Sequence, residues 1–160
     1  METITPCLWF DSEGEEAARF YVSIFKNSEI GAISRYGKEG QEIHGKPEGA
    51  VMTVAFTLNG QPFTALNGGP HFKFNEAISL QVPCETQEEV DYYWSRLVEG
   101  GEEGPCGWLK DRFGVSWQII PTVLPKMLND PDQAKSQRVT KAFLQMKKFD
   151  IAALERAYSG

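Results

Sequence analysis

The side chains of this 160-residue chain whose types suit chemistry are few: His44 and His71, Cys7, Cys84 and Cys106, and polar residues set inside apolar strings. Both histidines sit in stretches rich in glycine or proline, residues 37–49 and 67–75, where a solvated loop imidazole is the expected state. His71 follows Gly-Gly-Pro, which suits the rim of a pocket, but neither histidine has a spacing that ties it to a thiol as its base. The cysteines form no CxxC pair and are odd in number, so a disulfide framework or a zinc knuckle is not expected. Reduced thiols acting as small buried hydrophobes are expected instead. Asp111 and Arg112 open a tight turn, for which Asp is favoured on conformational grounds alone.

Strand alternation supplies the binding candidates. In residues 115–119, Trp117 falls on one side with Val115 and Ile119, leaving Ser116 and Gln118 on the other. In residues 78–82, Ser79 and Gln81 likewise oppose Ile78, Leu80 and Val82. The apolar sets suit packing under helices. The polar sets, joined by Trp108, Lys110 and Asn67, then face a cavity. Amides and hydroxyls among aromatic rings can hold a small organic molecule by hydrogen bonding and stacking. The ligand-binding candidates are therefore Gln118, Ser116, Ser79, Gln81, Trp108 and Asn67, and no catalytic residue stands out.

The elements that must position them come in two copies. EEAARFYVSIF (15–25) and EEVDYYWSRLV (88–98) share acidic first turns and an apolar stripe at helical spacing. Ala17, Phe20, Tyr21, Ile24 and Phe25 form one stripe; Val90, Tyr93, Trp94, Leu97 and Val98 form the other, both as scaffold against a sheet. Strand-like runs precede each helix, at 4–10 and 77–82, closed by the cap-forming pairs Asp11-Ser12 and Glu85-Thr86. After the first helix the pattern predicts strands at 29–36 and 50–58, a hairpin turn at Asn59-Gly60, and a returning strand at 61–66. After the second helix it predicts a short strand at 102–103 and a hairpin of 106–110 with 115–120, ended by Pro121. From Thr122 onward helical periodicity returns in a tail that belongs to neither copy.

Composition limits the partners. Sixteen Lys and Arg against twenty-two Asp and Glu give a net charge of −6, with no basic cluster to meet a phosphate backbone, so nucleic acid is not an expected partner. No apolar run approaches the roughly 18 residues of a membrane span, and residues 1–6 lack the zones of a signal peptide. A cytoplasmic protein without a membrane partner is the expectation.

Four strings, EEAARFYVSIF, FTALNGGP (63–70), CGWLKDRFGVSWQIIP (106–121) and MKKFDIAALERA (146–157), resemble the vicinal oxygen chelate (glyoxalase/bleomycin-resistance) superfamily. The likeness is to its PhnB-like branch, often labelled 3-demethylubiquinone-9 3-methyltransferase. The resemblance implies an α+β fold in which two tandem βαβββ modules form a concave half-barrel sheet, with C-terminal helices, usually as a homodimer around a small-molecule pocket. The organisation expected is one domain over 1–160: module one at 1–70, module two at 71–121 and a helical extension at 122–160. Apolar faces on the extension's helices add to the expectation of a dimer.

Metal-dependent members of that superfamily carry His or Gln, Glu, His and Glu on four strands. Carried onto this chain, those positions fall near Ile4, Ala65, Ala77 and Gln118, of which only Gln118 has a donor. No metal is expected, and no cofactor: Asn67-Gly68-Gly69 runs into Pro70 rather than opening a helix, so no site for S-adenosylmethionine is implied. The reading is a metal-free protein binding a small organic molecule, as a sequestering protein or as an enzyme. Two alternatives stand beside it. One is a metal-dependent lyase, isomerase or dioxygenase; the other is a structural homodimer whose cavity is packed shut by Trp9, Trp108 and Phe63.

Overall fold

A computed structural model describes residues 2–160. Its first part runs β1 (Cys7–Phe10), α1 (Gly14–Ile24), β2 (Glu29–Arg35), a short α2 (Gln41–His44), β3 (Val51–Leu58) and β4 (Gln61–Asn67). The second repeats the order with β5 (Leu80–Cys84), α3 (Gln87–Val98), β6 (Glu102–Glu103), β7 (Trp108–Lys110) and β8 (Ser116–Pro121). Helices α4 (Val123–Leu128), α5 (Gln133–Phe143) and α6 (Ile151–Ser159) follow. The chain divides between Phe74 and Asn75 into two compact units, the tail belonging to the second.

In the first unit the strands lie in the order β1-β4-β3-β2, with β1 parallel to β4 from Cys7↔Thr64 to Phe10↔Asn67. Asn59 and Gly60 both take positive φ, 48° and 79°, as a two-residue hairpin between β3 and β4 requires. Ala17, Ala18, Tyr21 and Ile24 of α1 are buried with Leu8, Phe10, Val54, Phe56 and Ala65. Helix α1 starts without a local side-chain cap. Its Gly14 N–H instead donates to Asn67 Oδ1 at 2.7 Å, and a Cβ at Gly14 would lie 2.7 Å from that same oxygen. The Asp11-Ser12 pair therefore does not cap it.

The second unit has the order β5-β8-β7-β6, with β5 parallel to β8. Helix α3 begins on Thr86, whose side chain accepts from the Glu89 N–H as an N-cap should. It buries Val90, Trp94 and Leu97, with Leu109, Trp117 and Ile119 supplying the sheet side of the core. In the tail, Leu124, Met127, Val139, Phe149 and Leu154 form a cluster of their own.

The concave half-barrel is not what forms. The two modules make two separate mixed sheets of four strands, neither closed nor strongly curled. Strand length explains this for the second sheet: β6 has 2 residues and β7 has 3, too few to carry the tilt and stagger that curling needs. Strand starts also differ from expectation. β1 begins at Cys7, leaving Ile4 93% exposed, and β5 begins at Leu80, leaving Ile78 71% exposed rather than packed under a helix. Upstream of Leu80, Asn75 Oδ1 takes the Ala77 N–H at 2.9 Å, a local turn that competes with a ladder.

Candidate functional site

Register on the second sheet gathers most of the polar candidates on one face. Gln118 stands between Gln81 of β5 and Trp108 of β7, and Ser116 stands opposite Lys110. Gln118 Nε2 donates to Ser79 Oγ at 2.8 Å, so these two groups are already joined. The alternate residues Trp117 and Ile119 are buried at 2% and 0% on the face toward α3. Ser116, Gln118, Ser79, Gln81 and Trp108 thus share a face.

The hairpin that presents them is organised by Asp111, only 3% exposed. Its Oδ1 accepts from the Phe113 and Val115 N–H groups at 2.9 and 3.1 Å, and its Oδ2 accepts from Trp117 Nε1 at 2.8 Å. This carboxylate has a structural duty that accounts for its burial.

Along the β7 side lies a cleft of about 400 Å³ lined by Glu76, Glu102, Pro105, Trp108, Lys110 and Ser116, among others. Ser116 is 2% exposed, and its Oγ has no hydrogen-bond partner. A buried hydroxyl left without a partner costs free energy, on the order of 1–3 kcal/mol, unless something else reaches it. Lys110 is ion-paired with Glu76. The hydrogen bond to Glu76 holds the ammonium above its ordinary range, and the same bond holds the carboxyl below its own. The pair is therefore charged at neutral pH. Gly104 forms part of the wall because its N–H bonds Trp108 O at 2.8 Å, and a Cβ there would lie 2.9 Å from that oxygen.

Asn67 stands apart from the other five. It lies in the first unit, 6% exposed, where its Oδ1 holds Gly14 and its Nδ2 donates to Val51 O at 3.2 Å. Phe63 is 8% exposed and stacks on Phe56 in the core of that unit. Trp9 donates from Nε1 to Gly69 O at 2.9 Å and meets Phe72 edge-on at 4.9 Å between centroids. A Cβ at Gly68 would come within 2.2 Å of the Trp9 indole, so the Asn67-Gly68-Gly69 turn makes room for a ring. Nothing there cradles a phosphate or a nucleoside.

The donors do not fit the four-ligand metal set. Ile4 lies before β1, and Ala65 is 1% exposed on the face under α1. Ala77 lies before β5, and register places Gln81 opposite Gln118 instead. What gathers on the face around Gln118 is amide, hydroxyl and indole, a set without the carboxylates and imidazoles that the four-ligand site is built from. Among the described residues, no group of three or more His, Cys, Asp or Glu is arranged to hold one. His44 is engaged locally, its Nδ1 accepting from the Lys46 N–H at 2.9 Å and its ring lying 4.5 Å from that of Tyr36. Burial, with the Glu89 charge adding to it, pushes the Cys84 thiol up to about 12, which makes it inert as a nucleophile at neutral pH.

The carboxylates of the cleft escaped sequence reasoning. Glu102 reads only as part of a short strand, and Glu76 falls between the connector and the strand expected from 77; their shared neighbour appears once Glu102 pairs with Lys110 across β6 and β7. Pairing the short strand predicted at 102–103 with the one at 106–110 would have set an acidic residue opposite Lys110, and that was the available signal.

A family model described as 3-demethylubiquinone-9 3-methyltransferase matches residues 2–120. Among solved structures, the chain is similar to a PhnB protein from Bacillus cereus that carries the same methyltransferase description. It is 39% identical with a TM-score of 0.65, over 76% of this chain and 100% of that one. A Pseudomonas aeruginosa protein is 19% identical, with a TM-score of 0.61 over 76% of this chain and 98% of its own. A fosfomycin resistance protein, FosX, from Listeria monocytogenes is 16% identical, with a TM-score of 0.55 over 81% and 98%. These last two likenesses concern the fold alone. No curated protein matches the sequence.

Proposed function

The chain belongs to the 3-demethylubiquinone-9 3-methyltransferase family, the PhnB-like branch of the glyoxalase/bleomycin-resistance superfamily, and on that premise we propose that it binds a small organic molecule without a metal. The ligand lies in the cleft beside Trp108, in the second unit. One observation carries this reading: Ser116, whose hydroxyl is buried and without a partner, lines a cleft together with Trp108. A ligand polar group completes the hydroxyl's hydrogen bonding while an apolar or planar body packs on Trp108. Gln118 and Ser79, bonded to each other, keep the neighbouring face rigid and polar.

The methyltransferase description receives no support from the Gly68-Gly69 turn, which is occupied with Trp9. The structural-homodimer alternative is disfavoured because Phe63 packs in its own unit's core while the cleft at Trp108 stays open. A dimer in the cytoplasm remains part of the proposal on family grounds only. A small-fragment screen by amide and indole NMR tests the binding reading. Fragments are expected to move the Trp108 indole and Ser116 signals, and Ser116→Ala is expected to weaken those hits by roughly 3- to 10-fold, about one neutral hydrogen bond. A library that leaves both signals unmoved, or stoichiometric zinc, nickel, iron or manganese in the purified protein, would overturn the reading.

A further inference from the structure

We propose that the cleft beside Trp108 selects an organic cation, an ammonium or amidinium group carried on an apolar body. The inference rests on the binding reading above and names the ligand class for that same site.

The charge around the cleft is unbalanced. Glu76 and Glu102 contribute two carboxylates to its mouth, against the single ammonium of Lys110. Glu76 neutralises Lys110 by direct ion pairing. The Glu103 carboxylate is turned to the α3 side of the sheet, where it accepts from Trp94 Nε1 at 3.1 Å, and adds nothing to this balance. Glu102 stands opposite Lys110 across β6 and β7 and is exposed, so it brings a further negative charge to the same mouth. An anion entering here meets a net negative field, and a cation meets an attractive one. The whole chain, at −6, reinforces that sign.

Two further features point to a ligand rather than to a solvated acidic face. The indole of Trp108 offers the aromatic surface over which ammonium groups are favoured. Ser116 belongs to the lining, and its hydroxyl, buried and unpartnered, keeps an oxygen able to accept from an N–H of a cation that reaches it. Carboxylates, ring and hydroxyl together match a protonated amine on each of its chemical properties: charge, donor hydrogens and an apolar attachment.

The test uses benzylammonium, benzyl alcohol and benzoate as a matched cationic, neutral and anionic series, titrated into the full chain and followed by NMR at the Trp108 indole and Ser116 amide. Benzylammonium is expected to bind at least 10-fold more tightly than benzyl alcohol, with benzoate giving no saturable shift. Its affinity is expected to fall several-fold between low and high salt, because the carboxylates are near solvent. Glu102→Gln is expected to weaken benzylammonium about 3-fold while leaving benzyl alcohol unchanged, a split that a merely structural change would not produce. If all three probes bind alike, or benzoate binds best, the cleft is a ligand site and the charge inference is overturned. If none of them, nor any library fragment, moves the two signals, the inference falls together with the binding reading.

Discussion

Asp111 holds the β7–β8 hairpin from within, since one carboxylate accepts two backbone N–H groups and the Trp117 indole N–H. Asp111→Ala removes these acceptor bonds and leaves the Val115 N–H and the Trp117 indole N–H stranded in the core. The expected loss is on the order of 3 kcal/mol of unfolding free energy, read from urea denaturation followed by tryptophan emission. Asp111→Asn is expected to lose less, because one amide oxygen still serves the turn. Residue identities in the cleft were partly legible beforehand. Of the ligand-binding candidates, Ser116 and Trp108 line the cleft and Gln118, Ser79 and Gln81 do not; Ser116 follows from period-2 alternation on a strand that does form. Asn67 does not, because its side chain answers a helix start 53 positions away, a pairing no local pattern announces. The cleft carboxylates escaped for the same reason: Glu76 reaches Lys110 only through the tertiary fold.

The two helices that begin the modules solve one problem, orphan N–H groups, in different ways. Helix α3 uses Thr86 from its own sequence, whereas α1 borrows Asn67 from the far end of β4. Asn67→Ala is therefore expected to act on two elements together, freeing the Gly14 N–H and the Val51 carbonyl. A loss of about 2 kcal/mol is expected, against about 1 kcal/mol for Thr86→Ala, with thermal unfolding as the measurement. Helices and the Asn59-Gly60 hairpin were readable because their signals are local: acidic first turns, a 3.6-residue stripe and residues that tolerate positive φ. Strand β5 was misplaced at its start because Ile78 continues the apolar alternation, while the ladder it needs begins only at Leu80↔Trp117. The half-barrel came from resemblance, and two separate sheets that do not curl overrule it, with short strands as the reason in the second.

At the scale of the molecule, the tail is part of the second unit rather than an appendage. The Cys106 and Gly107 N–H groups donate to the Met146 and Lys147 carbonyls, each at 2.8 Å, and the Gly107 carbonyl accepts from the Ile119 N–H on β8. Gln87 at the start of α3 donates to Phe149 O at 3.0 Å and accepts from the Ile151 N–H at 2.8 Å. The helix faces that argued for a partner subunit are covered by one another, in the cluster of Leu124, Met127, Val139, Phe149 and Leu154. A dimer therefore has to be argued from other surfaces. Gly107 sits at φ 80°, and a Cβ there would come within 2.4 Å of the Phe149 ring and 2.9 Å of Ile119 O. Gly107→Ala is expected to cost about 3 kcal/mol, with hydrogen exchange at Cys106 and Ile119 accelerating together. This clasp also imposes an order of events on a nascent chain. Residues 146–151 are made after every strand of the second sheet, so the first sheet has all its partners available while the loop at Cys106 and Gly107 must wait for that later segment before its hydrogen bonds can close.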